Sequence, residues 1–166
     1  GKGRVPEQEE ILAAVQQLLK PDGSLAGRCV LVTAGPTFED LDPIRYLTNR
    51  STGRMGYAIA AEALARAARV LLITGPTELS APLGAEVKKV RSADEMKEAV
   101  KASVDDADVV VMAAAVSDYA PITGPEPHKI EKNDDVMTLV MRRTPDILAE
   151  LGRCRSGGQR PILVGF

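Results

Sequence analysis

Tryptophan is absent from this chain, and only two phenylalanines and three tyrosines stand among its 166 residues. That is too few rings to build a platform on which successive nucleic-acid bases could stack. Charge of one sign is also lacking, since 21 lysines and arginines meet 23 acidic residues. Such a balance gives no global positive field, so no nucleic-acid partner is expected and any basic group that matters must act locally. Cysteine is limited to Cys29 and Cys154. Cys29 opens an apolar run, which favours a reduced, cytoplasmic setting over a disulfide framework. Long hydrophobic stretches are missing: residues 70–74 and 109–116 fall far short of a bilayer span, and the first residues lack the charged-then-apolar pattern of an export signal. Neither export nor a membrane partner is expected. The chain has no Gly-x-x-x-x-Gly-Lys-Ser/Thr loop, no Cys/His cluster at metal-ligand spacing and no Gly-x-Ser-x-Gly elbow, so no covalent nucleophile is evident. His128, the single histidine, has no partner in sequence and reads as incidental rather than as a general base.

What is present is an ordinary globular composition, 45% hydrophobic and 27% charged, at a length that suits one core. Residues 6–19 carry Ile11, Leu12, Val15, Leu18 and Leu19 at helical spacing, and Pro21-Asp22-Gly23-Ser24 stops that helix. Residues 28–33 form a short apolar run of the kind expected for a buried strand, followed by a long loop over residues 34–52. A helix rich in alanine opens at Gly53, and a second buried strand spans residues 70–74. Residues 86–90, 108–113, 136–141 and 161–166 are the further candidate strands, while 93–104 and 145–151 are candidate helices. Strands alternating with helices predict an α/β, Rossmann-like three-layer fold, with a mainly parallel sheet and helices on both faces. The expected division is an N-terminal helix and junction over residues 1–27, then a nucleotide-binding domain over 28–166.

Two places carry chemistry. In open α/β sheets, ligands collect beyond the carboxyl ends of the strands, where helix N-termini point unpaired N–H groups at them. Ser51-Thr52-Gly53-Arg54-Met55-Gly56 sits in that position, and its glycines would let a phosphate approach the backbone. The alternative is that Ser51 or Thr52 caps the helix and Gly56 packs on the sheet. The preceding loop is long enough to suggest function. Arg45 could grip a phosphate or carboxylate through paired hydrogen bonds, or it could pair with Glu39 or Asp42. Asn49 could orient a carboxylate, or it could serve a turn. At the second place, Ala113, Ala114 and Ala115 leave space above a strand exit. Asp118 beside them could accept from a ribose or base, help to hold a metal, or cap the backbone. The stretch Lys129-Ile130-Glu131-Lys132 follows a proline- and glycine-rich segment and could close over a triphosphate, or could simply be a solvated loop. Dinucleotide-binding loops are the natural comparison for the first place, but about twenty residues separate strand from glycines here. No Tyr-x-x-x-Lys pair exists either, because Tyr46, Tyr57 and Tyr119 are followed four residues on by Arg50, Ala61 and Thr123.

The run GPTFEDLDPIRYLTNRSTGRMG over residues 35–56 closely resembles the signature of the phosphopantothenate–cysteine ligase family. Residues 113–119, Lys129–Lys132, Thr144-Pro145-Asp146-Ile147 and Val164-Gly165-Phe166 resemble its later motifs in order. The start, Gly3-Arg4-Val5-Pro6-Glu7, is similar to the junction that follows the flavin-dependent decarboxylase in the bifunctional members of that family. The resemblance implies a CTP-dependent ligase of coenzyme A biosynthesis. The carboxylate of 4'-phosphopantothenate would attack the α-phosphate of CTP with release of pyrophosphate, and the amine of L-cysteine would then displace CMP; magnesium is implied as well. By the same resemblance Asn49 and Lys129 are catalytic, Asn49 orienting the acyl group and Lys129 closing over the reacting phosphate. Arg45, Asn49 and Ala114 would hold the acid. Gly53, Ala113, Ala114, Ala115, Asp118, Lys129, Pro145, Asp146, Ile147, Leu148 and Phe166 would line the nucleotide pocket, with no metal ligand assigned. A homodimer is implied, its arm after Tyr119 reaching across the interface.

The chain departs from the family pattern at three points. Glu131 stands where the lysine loop usually carries a further cation, and Thr144 stands where asparagine is usual. The family also continues beyond Gly165-Phe166 with further strands and nucleotide-binding lysines, so a chain ending there is expected to bind nucleotide weakly and to turn over poorly. Two alternatives stand beside the ligase: a doubly wound NAD(P)-dependent reductase, and a catalytically incomplete nucleotide-binding fragment.

Overall fold

The computed structural model describes residues 23–132, 135–154 and 160–166. The helix expected over residues 6–19 lies outside the described residues. Five strands form one parallel sheet: β1 (Cys29–Ala34), β4 (Arg69–Thr74), β5 (Glu86–Lys89), β6 (Val109–Met112) and β9 (Ile162–Gly165). Their order across the sheet is β5-β4-β1-β6-β9. The chain thus builds outward from β1 in one direction, then returns to β1 and builds in the other, and the order reverses between β1 and β6.

Side chains alternate between two cores with the two-residue period of a strand. Val30, Val32 and Ala34 of β1, with Val70 and Leu72 of β4, face one core. The helix that covers it, α1 (Arg54–Ala65), turns Gly56, Tyr57, Ala60 and Ala63 inward. Gly56, Ala60 and Ala63, small and at helical spacing, let α1 lie close to the sheet. Leu31, Ile73 and Val110 point to the opposite core, where Met96, Ala99 and Val100 of α2 (Ala93–Lys101) meet Ile147 and Leu151 of α3 (Ile147–Cys154). Helices therefore cover both faces, as the alternation predicted. Ser92 caps α2 by accepting from the Glu95 N–H at 3.1 Å, and Asp94, Glu95 and Lys101 sit at the helix ends where the dipole favours their charges.

The structure differs from two of the sequence-based expectations. The stretch over residues 34–52, expected to be a loop, contains an antiparallel pair, β2 (Phe38–Asp40) and β3 (Tyr46–Thr48). Side-chain packing holds this hairpin: the Phe38 and Tyr46 rings stack with centroids 4.1 Å apart, and Arg91 lies over both while pairing with Asp40 at 2.6 Å. The strand expected at 136–141 instead forms as β8 (Met141–Arg143), paired with β7 (Tyr119–Pro121) in the register Tyr119↔Arg143. Its position follows from Thr144, whose hydroxyl donates to the Ser117 carbonyl at 2.5 Å and whose N–H donates to the Asp118 carbonyl at 2.9 Å. At the opposite end of the sheet, Asp108 accepts from the Cys29 N–H at 2.9 Å and pairs with Arg28 and Arg160. Cys29 and Cys154 are free, and among the described residues no helix is long and apolar enough to cross a membrane.

Candidate functional site

At the reversal point the exits of β1 and β6 are joined by hydrogen bonds. The Thr33 hydroxyl accepts from the N–H groups of Ala113 and Ala114, both at 3.2 Å. Ala115 donates to the Gly35 carbonyl at 2.9 Å, and the Ser117 N–H reaches the Thr37 hydroxyl at 2.9 Å. Thr33 and Thr37 are fully buried, so these side chains continue the sheet beyond its last ladder bond. The frame leaves the methyl groups of Ala113, Ala114 and Ala115 as the only side chains along that stretch.

The mouth of α1 stands opposite this frame. Gly53, at φ 76°, is the N-cap; no side chain caps the helix and no acidic residue occupies its first turn. Neither Ser51 nor Thr52 is the cap, as one reading of the sequence had it; Ser51 instead accepts from the Gly53 N–H at 3.3 Å. A Cβ at Gly53 would lie 3.1 Å from the Gly35 nitrogen, so glycine is required here by both backbone angle and space. Gly56 packs against β1, where an added Cβ would come within 2.5 Å of the Ala34 methyl. The first-turn N–H groups of α1 remain available to an anion.

Three crevices run side by side along this edge. The first, of about 430 Å³, is lined by Ala114, Ala115, Asp118, Pro145, Asp146, Ile147, Leu148 and Phe166, all expected from the sequence, together with Met112, Ser117, Arg143 and Gly165, which were not. The second, of about 800 Å³, lies over the mouth of α1 and joins Gly53 and Ala113 to Arg50, Ser51, Thr52 and Arg54; it shares Ala114, Ala115 and Phe166 with the first. Asn49 lines the third, of about 550 Å³, with Thr48, Arg50, Thr77 and Glu78. Its side-chain amide donates to the Val116 carbonyl at 3.0 Å, which ties the third crevice to the β6 exit. Arg50 and Arg54 border both the second and the third crevice, a cationic pair that the sequence signalled only by flanking the helix start.

Arg45 and Lys129 border none of these three. Arg45 pairs with Asp42 at 3.4 Å, the structural partner that the sequence offered as an alternative. Lys129 lines a separate cavity of about 580 Å³ with Leu41, Ile122, Glu126, His128, Met137 and Val140. Burial raises the pKa of the Asp42 carboxyl, yet the N–H bonds from Ile44, Arg45 and Ile130 and the Arg45 charge outweigh it and hold the group below the ordinary carboxylate range. Asp108 is lowered as well, chiefly by the Cys29 N–H, with burial opposing and Arg28 and Arg160 assisting. The Cys29 thiol is pushed up by burial.

A parallel sheet whose order reverses above a glycine-opened helix, with crevices along its carboxyl edge, defines a doubly wound α/β protein, a class whose ligands collect at the reversal point. Within that class, the pattern of the DNA/pantothenate metabolism flavoprotein C-terminal domain matches residues 25–166, and the chain belongs to that family. It is 47% identical over 169 residues to the coenzyme A biosynthesis bifunctional protein CoaBC of Bacillus subtilis (strain 168), covering 100% of this chain and 41% of that protein. The chain thus spans about two-fifths of the length of the curated relatives it matches. Among solved structures, the C-terminal domain of a coenzyme A biosynthesis bifunctional protein CoaBC is 42% identical with a TM-score of 0.70, covering 81% of this chain and 62% of that one. A Cab2 mutant in complex with phosphopantothenate-cysteine is 17% identical with a TM-score of 0.66, covering 97% of this chain and 71% of that one, a likeness of fold alone.

Proposed function

We propose that the chain is the ligase part of a coenzyme A biosynthesis enzyme, joining 4'-phosphopantothenate to L-cysteine at the expense of CTP. The observation that carries this reading is the gathering of residues from four separate segments, Asn49 with Gly53, Ala113–Asp118, Pro145–Leu148, and Phe166, around adjoining crevices. The triphosphate would lie over the α1 mouth, between its N–H groups and the Arg50 and Arg54 side chains. Cytidine would occupy the first crevice against Asp118 and Phe166. Asn49 would hold the acid so that one carboxylate oxygen attacks the α-phosphorus as the bond to the β-phosphate oxygen breaks. Pyrophosphate leaves; the cysteine amine then attacks the acyl carbon, CMP departs, and the amine gives up a proton. Such chemistry rests on positioning and charge stabilisation, and positioning alone is worth roughly 7–11 kcal/mol.

Among the described residues no three His, Cys, Asp or Glu side chains gather into a metal cage. Magnesium would bind with the phosphates of CTP and would offset their charge. Arg45 and Lys129 would serve the crevice of a second copy, brought there by the arm after Tyr119, whose Ile122, Val136, Met137 and Val140 are exposed apolar side chains of the kind an interface covers. Fusion to a flavin-dependent decarboxylase and a cytoplasmic location complete the reading.

Incubation with phosphopantothenate, CTP and magnesium should release pyrophosphate before cysteine is added. No release from a protein carrying the chain at the length of its relatives would sink the proposal. Running the same assay with ATP decides the base, and an NADPH fluorescence titration tests the reductase alternative. A thermal shift with CTP but without pyrophosphate release would mark a nucleotide-binding fragment instead.

A further inference from the structure

The turn between β2 and β3 contains a carboxylate with more partners than a turn requires. The Asp42 side chain is wholly buried. Its Oδ1 accepts from the N–H groups of Ile44 at 2.8 Å and Arg45 at 2.7 Å, which shapes the turn. Oδ2 accepts from the Ile130 N–H at 3.1 Å, on a segment 88 residues downstream, and faces the Arg45 guanidinium at 3.4 Å. The same turn receives the arm at a second point, where the Glu126 N–H donates to the Leu41 carbonyl at 2.8 Å. A turn alone would need only Oδ1. Both oxygens of Asp42 accept, whereas an asparagine would present an NH2 group to one set of donors.

We propose that Asp42 is a positioning residue for the ligation: its buried carboxylate fixes the Arg45 guanidinium and the backbone beside Lys129 as one unit, so that the acid-holding and phosphate-neutralising cations reach a site together. This inference rests on the ligase reading, from which it takes the roles of Arg45 and Lys129. The bond to Ile130 lies next in sequence to Lys129, and the ion pair holds Arg45 itself, so a single carboxylate sets the spacing between the two cations.

Two variants separate the two bonds. Asp42→Asn disturbs both, whereas Ile130→Pro removes the arm's donor, together with the Ile130 side chain, and leaves Asp42 its turn bonds to Ile44 and Arg45. In Asp42→Asn, amide exchange at Ile130, Ile44 and Arg45 should rise about tenfold or more, with Leu31 and Leu72 of the sheet unchanged. In the pyrophosphate-release assay Asp42→Asn should raise KM for phosphopantothenate and lower kcat without changing KM for CTP. Ile130→Pro should lower kcat alone. Unchanged exchange at Ile130, an equal rise in both KM values, or sheet amides that speed up with the rest would overturn the inference by reducing Asp42 to a structural residue. If Asp42→Asn fails to fold, Ile130→Pro decides: a lowered kcat supports the inference and an unchanged one overturns it. Failure of the ligase reading looks different, as no pyrophosphate release from the unsubstituted protein, and the exchange at Ile130 then decides by itself whether Asp42 holds the arm.

Discussion

Replacing Gly56 by alanine is expected to destabilise the chain even though it puts a better helix former into α1. On propensity alone the change would gain about 0.8–1.0 kcal/mol. A Cβ at Gly56, however, would meet the Ala34 Cβ at 2.5 Å, the Thr33 carbonyl oxygen at 2.9 Å and the Ala34 Cα at 3.1 Å. Carbon atoms pack at about 3.5–4.0 Å, so α1 would have to retreat from β1 by roughly 1 Å. Both neighbours are fully buried, and overpacking of this kind costs about 1–3 kcal/mol. The net expectation is a loss of about 1 kcal/mol, or roughly 2–4 °C in Tm for a chain of this size. Gly152, in the last turn of α3, is the control, since an added Cβ there meets nothing within 4 Å. Gly152→Ala should gain about 0.5–1 kcal/mol. Urea midpoints at equal m-values read both changes. Because α1 opens onto the second crevice, Gly56→Ala should also shrink the thermal shift given by CTP. If Gly56→Ala raises the midpoint as Gly152→Ala does, the close seating of α1 on the β1 exit is refuted.

Asp108→Asn should lower the urea midpoint at neutral pH, and the gap to the unsubstituted chain should close in acid. The folded pKa is depressed, so the contribution is complete above the unfolded value of about 3.9 and is lost as pH falls through the folded one; a gap that stays constant through that window would contradict the assignment. Asn49→Ala should cut pyrophosphate release on the order of 100-fold while leaving the stability within about 0.5 kcal/mol, because the side chain is exposed and, on the proposed reading, holds substrate rather than core. Loss of the fold together with activity would make Asn49 a structural residue. Phe166→Ala should weaken CTP binding about tenfold, the scale of one lost aromatic contact, with no change in stability from a side chain that is 79% exposed. Calorimetric titration with CTP measures it, and an unchanged affinity would remove Phe166 from the nucleotide pocket.

The central strands were legible because they are buried on both faces. Runs such as residues 70–74 then carry no alternation to misread, and the helices between them supply the period that marks a doubly wound sheet. The hairpin was not legible. Phe38–Asp40 and Tyr46–Thr48 are three residues each, too short for any period, and their stability comes from Arg91, which stacks on them from far along the chain. The strand expected at 136–141 slipped for a related reason. Apolar content marked Val136, Met137 and Val140, but all three are exposed, and pairing is set instead by Thr144 gripping the β6 exit. For the site, motif residues pointed to the crevice lining, while Thr33 and Thr37 looked like ordinary strand and loop residues. Their hydroxyls act on backbone groups about 80 residues away, and nothing in local sequence marks that.

The same hydrogen bonds bear on where Arg45 can act. For Arg45 to swing into a crevice of its own chain, the hairpin would have to let go of its surroundings. Those include the Glu39 carboxylate on the Ala93 N–H at 2.9 Å, the Phe38 N–H on the Arg91 carbonyl at 2.7 Å, the Thr48 hydroxyl on the Thr37 carbonyl at 2.8 Å and the paired bonds between Arg91 and Asp40. At about 0.5–1.5 kcal/mol net for each bond, and more for the charged ones, that motion costs several kcal/mol. A second copy, carrying its own turn intact to the crevice, avoids the cost. If two-fold related chains exchange Arg45 in this way, each site combines Asn49 of one chain with the partner's Arg45. Mixing Arg45→Ala chains with Asn49→Ala chains, each inactive alone, should then restore activity. Random pairing makes half of the dimers mixed, and each mixed dimer has one intact site, so about a quarter of the sites should recover. Pyrophosphate release after subunit exchange measures this. If mixed dimers form without any recovery, Arg45 serves the crevice of its own chain and the hairpin must move after all.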